Sequence, residues 1–202
     1  MDIDPKDLID TSPAAAELRE RRAARLNAAV AVTVALLATF MGICKVKDDN
    51  IVQAMQQAQA DKLDHWAFYQ ARNLRQELAE ATATQLELAA PAAGAAQAAA
   101  YTTAINRYRT LAQEQARKKD EVRAQAEQDQ KTYDALNYRD DQFDLSDALI
   151  AIAIAMLAVT ALTQQWALYW AALLPTAGGA LMGAAGLAGL DIHPSALIWL
   201  LS

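Results

Sequence analysis

The chain has 202 residues but only one cysteine, two histidines and four serines. A single cysteine excludes an internal disulfide and a cysteine-based zinc site, which leaves the redox compartment open. No histidine, serine or cysteine stands in a recognisable nucleophile motif, and no Gly-rich phosphate loop occurs, so the residues point to no enzyme and no cofactor. Basic charge is also short, with 18 Lys and Arg against 24 Asp and Glu for a net charge of −6. Phosphate binding needs a net basic surface, so nucleic acid is not an expected partner. Helix breakers are few: between Lys45 and Asp144 the chain has only Pro91 and Gly94.

What is abundant is apolar length and helix-forming composition. Mean hydropathy is neutral, at +0.01, yet charge is segregated over tens of residues rather than mixed turn by turn. Residues 26–44 and 145–190 are almost uncharged. The first of these runs Leu26 to Cys44, and its nineteen residues reach about 28 Å as a helix, enough for a bilayer core. The second, Leu145 to Leu162, is apolar all round, which leaves no amphipathic soluble helix as a rival. The third opens on Trp166, Tyr169 and Trp170, rings suited to a membrane–water boundary. Only Thr163-Gln164-Gln165 part the last two spans, so they form an antiparallel pair.

A cleaved signal peptide is the rival reading of the first span. Its long, acid-containing flank with a helix start at Ser12-Pro13 favours an uncleaved anchor, and the bulky Ile43 disfavours a lipoprotein site at Cys44. Arg19, Arg21, Arg22 and Arg25 crowd the start of this span, which favours a cytoplasmic N-terminus. Lys45 and Lys47 at its exit pull the other way.

From Asn50 to Ala90 nothing breaks a helix, nor from about Ala95 to Phe143. These stretches predict a helical hairpin with its tip at Pro91 to Gly94 and arms of ~60–70 Å. The second arm keeps a heptad seam through Ile105, Tyr108, Ala112, Gln115, Lys119, Val122, Ala126, Asp129, Tyr133 and Leu136. The first arm's seam is Leu63, Ala67, Gln70, Leu74, Ala81 and Leu88. So polar a seam makes a lone pair of helices marginal, and self-association is expected. The whole reads as an all-α membrane protein with three transmembrane helices and a long extramembrane antiparallel helical hairpin. Its parts are a polar segment 1–25, spans 26–44, 145–163 and 166–190, the hairpin 45–144, and an interfacial tail 191–202.

Small residues recur at three and four spacing in Ala28, Ala31, Ala35, Ala38 and Gly42, in Ala148, Ala151, Ala155 and Ala158, and in Gly179 and Gly183. Such seams let helices approach closely in lipid, although an Ala-rich chain yields them by chance too. Asp64, Trp66, Tyr69, Gln70 and Arg72 form a candidate docking cluster, and its plainer reading is an aromatic knot between helices. Asp140, Asp144 and Asp147 make an acidic stripe, either a solvated face or, repeated in an oligomer, a cation vestibule. Arg117, Lys118, Lys119 and Arg123 read as a solvated face. Neither His65 nor His193 makes a convincing metal ligand.

The stretch Asp64-His65-Trp66-Ala67-Phe68-Tyr69-Gln70-Ala71-Arg72, with Phe143-Asp144-Leu145-Ser146, resembles the bacterial membrane family called domain of unknown function 4337. The likeness begins near residue 26 and departs at His65 and at the Ala-rich tip. It implies one span, a long helical region and a terminal pair of spans, and no activity. The expectation is a non-enzymatic, self-associating protein of a bacterial inner membrane, in contact with lipid, whose hairpin scaffolds or docks a protein partner. The alternative is an oligomeric cation channel, against which the spans have no ionisable residue in their interiors.

Overall fold

A computed structural model describes residues 13–190. Helix α1 is Pro13–Ala89, α2 is Ala95–Thr163 and α3 is Trp166–Ala188, with a short 3-10 turn at Ala90–Ala92. No strand occurs among the described residues. All three helices are long and apolar enough to cross a membrane. The expected interfacial tail, residues 191–202 with His193, lies outside the described residues, as do residues 1–12.

Proline opens α1, where its missing N–H costs nothing. Pairs one turn apart line the solvent faces, such as Asn73 with Glu77, Gln76 with Glu80 and Arg123 with Glu127, each adding a few tenths of a kcal/mol. The break falls where Pro91 cannot continue the helix. There Ala93 turns extended while its N–H reaches Ala90 O at 3.1 Å, and Gly94 O accepts from Gln97 N at 2.9 Å to start α2.

The chain divides into two compact units, residues 1–51 with 138–202, and residues 52–137. In the first, Leu26, Val30 and Leu37 of α1 meet Ile150, Ala153 and Leu157 of α2 and Ala172 of α3. Thr33 Oγ1 and Tyr169 OH lie 3.1 Å apart. Helices α2 and α3 close up on a glycine face. A Cβ on Gly179 would stand 2.8 Å from Ile150 Cγ1, and one on Gly183 2.7 Å from both Phe40 Cε1 and Ser146 Oγ. Ser146 Oγ uses this closeness to donate to Gly179 O at 2.8 Å.

Gln164 holds φ +56 at the turn between α2 and α3, a conformation that costs a non-glycine residue about 1 kcal/mol. Its N–H closes α2 on Thr160 O at 2.9 Å, and its side chain donates to Asn27 Oδ1 at 2.9 Å. At the far end of α3, Gly189 takes φ +67. Arg139 Nη2 donates to Gly186 O at 3.0 Å and Gln142 Nε2 to Leu190 O at 2.8 Å, so side chains of α2 cap the last carbonyls of α3.

In the second unit, contacts between α1 and α2 run in opposite chain directions. Lys62 Nζ donates to Gln130 at 2.9 Å, His65 Nδ1 lies 2.6 Å from Asp129 Oδ2, Arg72 Nη1 donates to Gln115 at 3.0 Å, and Arg109 pairs with Glu87 at 2.8 Å. The α2 side of this contact holds Ala112, Gln115 and Ala126, all buried, along the heptad seam read from the sequence. The α1 side differs from the expected seam. Ala58, Ala79 and Ala83 are buried there, while Leu63, Leu74 and Leu88 point outward, Leu74 being 66% and Leu88 79% exposed. The cause lies in α2: a seam containing Gln115, Lys119 and Asp129 needs polar partners. On α1 those partners are Lys62, His65, Arg72 and Asn73, which lie on the face opposite the leucines.

Candidate functional site

The sequence singled out two constellations, and each lies within one unit. The acidic one is in the first unit, where α1 adds a residue that sequence reasoning passed over. Asp48 is only 3% exposed. Its Oδ2 accepts from Lys45 Nζ at 2.7 Å, and Lys45 also reaches Asp49 at 3.4 Å. Its Oδ1 finds no partner among the described N–H and O–H groups. Asp140 of α2 is close enough to hydrogen-bond Asp48, and Asp144 and Asp147 lie within electrostatic reach.

Carboxylates this close cannot all ionise freely. Burial, then the hydrogen bond to Asp48, then the charge of Asp144 push Asp140 up to about 6. Asp144 is raised as well, chiefly by burial and then by Asp48. Lys45 is raised by its hydrogen bond to Asp48. No group of three His, Cys, Asp or Glu among the described residues is arranged to hold a metal ion. The cluster is a group of crowded carboxyls with one cation, Lys45, held on Asp48 and Asp49.

The aromatic constellation in the second unit is divided between two faces of α1. Tyr69 and Arg72 turn toward α2, with Lys119 Nζ 6.0 Å from the Tyr69 ring and Arg72 on Gln115. Trp66 stands edge-on to Tyr69 at 5.4 Å and 77°. Trp66, Asp64, Gln70 and the neighbouring Phe68 are exposed. Of the five residues, Tyr69 and Arg72 therefore face α2, and Asp64, Trp66 and Gln70 are exposed.

Of the small-residue positions, Gly179 and Gly183 lie at the α2–α3 contact. Ala31, Ala35, Ala38, Gly42, Ala151, Ala155 and Ala158 are all exposed in the single chain, and a Cβ on Gly42 would meet nothing within 4 Å. Larger side chains fill the space that the glycines of α3 leave: Ile150 beside Gly179, Phe40 beside Gly183 and Phe143 beside Gly186.

A family model described as a domain of unknown function, DUF4337, matches residues 26–189. The chain belongs to this family. The match takes in every cluster described above except the arginines ahead of Leu26. No curated protein and no solved structure matches this DUF4337 member, so its chemistry rests on its own residues.

Nothing in the sequence around Asp48 marks it as buried. Its partner Asp140 lies far along the chain, and Lys45, Lys47 and Asp49 surround it with residues typical of a solvated turn. A faint signal is its helical spacing from Cys44 and Ile51, both of which are buried with it.

Proposed function

We propose that this protein is a non-enzymatic membrane protein that associates with copies of itself through a helical hairpin and offers that assembly to a protein partner. One observation carries the reading: Leu63, Leu74, Leu78 and Leu88, all at least 59% exposed, lie on one face of α1 in a segment rich in charge. Burying a leucine is worth about 1.5–3 kcal/mol, so four of them offer several kcal/mol against the entropy of association. A second copy is the natural cover, because an isologous interface matches the same patch to itself. The outward Ala and Gly positions of the spans give lipid-embedded helices of neighbouring copies a surface for close approach. An N-terminus on the cytoplasmic side of a bacterial inner membrane fits the arginines before Leu26.

The test is the mass of the intact protein in mild detergent. A defined oligomer is expected, and the Leu74→Gln, Leu78→Gln double variant should fall to monomer with its helicity unchanged. A monodisperse wild-type monomer, or an oligomer indifferent to both substitutions, overturns the reading. The carboxyl cluster favours a second reading, in which an oligomer repeats Asp140, Asp144 and Asp147 as a cation vestibule. Liposomes holding the assembled protein should then pass cations, less so with Asp144→Asn, and assembled protein without conductance refutes it.

A further inference from the structure

At the end of the first unit where α2 turns into α3, the start of α1 brings Arg21, Arg22 and Arg25 against Trp166 and Trp170. Together with Leu18 these residues line a groove of about 640 Å³ that holds no acidic side chain. The hydrogen bond from Gln164 to Asn27 fixes α1 against this turn. Arg22 and Arg25 form no ion pair with a described residue, and Arg21 has only a loose, exposed one with Glu17 at 3.9 Å, worth little in water. Trp170 stacks edge-on to Tyr169 at 5.7 Å and leaves its own ring largely open. One helical turn further along the same face comes Leu174, which is also open.

Three guanidiniums share this groove, and among the described residues only Arg21 has a carboxylate partner, the loose contact with Glu17; the planar fork of arginine matches phosphate oxygens two at a time, so the groove suits an oxyanion. The aromatic and aliphatic wall beside them selects among oxyanions. It leads from the cations down an apolar helix face, which suits a phosphate that carries hydrocarbon. We propose that this groove binds the headgroup of an anionic phospholipid, an inference that rests on the reading that the chain spans a membrane. The phosphodiester sits among Arg21, Arg22 and Arg25, and the glycerol and first acyl carbons lie along Trp170 toward Leu174.

The full-length protein in mild detergent, titrated with phosphatidylglycerol or phosphatidylcholine and read by native mass spectrometry, tests this. Phosphatidylglycerol should stay bound and phosphatidylcholine should not. With roughly fivefold lost per arginine, the Arg21→Gln, Arg22→Gln, Arg25→Gln triple variant should bind about a hundredfold more weakly. Lys47→Gln, at the other end of α1's first apolar stretch, should bind as wild type, and free glycerol phosphate should not compete. If the triple variant fails to fold by circular dichroism, the three single variants decide, each by its own fivefold loss. Equal retention of both lipids, unchanged binding in the arginine variants, or displacement by glycerol phosphate overturns the proposal. Alkaline carbonate extraction separates the two failures. Protein that stays in the membrane yet shows no lipid selectivity removes this inference alone, whereas protein released by carbonate removes the membrane reading and this inference with it.

Discussion

Replacing Gly183 by alanine tests the α2–α3 contact with a single methyl group. The new Cβ would sit 2.7 Å from Phe40 Cε1 and 2.7 Å from Ser146 Oγ, where ordinary contacts are 3.4–4 Å. Both neighbours must retreat. Overpacking of this kind costs about 1–3 kcal/mol, and turning Ser146 away forfeits its hydrogen bond to Gly179 O, about 1 kcal/mol more. Against this, alanine gains about 1 kcal/mol over glycine in a helix. The control is Gly42→Ala, which has the same propensity gain and nothing within 4 Å of the new atom. Gly183→Ala should therefore be less stable than Gly42→Ala by about 2–4 kcal/mol. The assay is unfolding by dodecyl sulfate in mixed micelles, followed by circular dichroism. A Ser146→Ala background should recover part of the cost, because the clash and the bond share one oxygen. Equal stability of the two glycine variants would refute the packing argument.

Two further outcomes follow from the polar contacts. Asp140, raised to about 6 by burial and by Asp48, binds its proton more tightly in the folded chain than in the unfolded one. Between about pH 4 and 6 the folded state holds the extra proton, so stability falls as pH rises through that window. Asp140→Asn should flatten the fall and leave the protein about 1 kcal/mol more stable at neutral pH, after allowance for solvent screening, as read from unfolding midpoints across pH. Arg72→Leu should cost about 1–2 kcal/mol in thermal unfolding, because the buried Gln115 then loses its donor. No loss in that variant would show that the Gln115 amide finds another partner.

The helices were legible because their limits are written in single residues. Pro13 opens α1, Pro91 and Gly94 break the chain, and α3 starts on Trp166. The heptad of α2 from Ile105 to Leu136 was legible too, since every one of its positions is buried or half-buried. The facing register of α1 was not. Periodicity selects the most apolar stripe of a helix, and in α1 that stripe holds Leu63, Leu74 and Leu88. Polar demand from Gln115 and Asp129 decided which stripe turned inward, and that demand comes from residues about fifty positions away. Ala31, Ala35, Ala38, Gly42, Ala151, Ala155 and Ala158 lie on faces that the single chain leaves exposed, whereas Gly179 and Gly183 of α3 lie at a contact within the chain. In the candidate site, Asp140, Asp144 and Asp147 stood out by spacing, but their buried counterpart Asp48 appears only once α1 and α2 are side by side.

The outward leucine face is most directly tested by cross-linking between copies in native membranes. In a Cys44→Ala background, single cysteines placed at Leu74, Leu78, Leu88, Ala79 and Ala83 would be oxidised and resolved without reductant. Disulfide-linked dimers are expected from the leucine positions and none from Ala79 or Ala83, which are buried within one chain. Cross-links from the alanine positions, or none from any leucine position, would contradict that pattern.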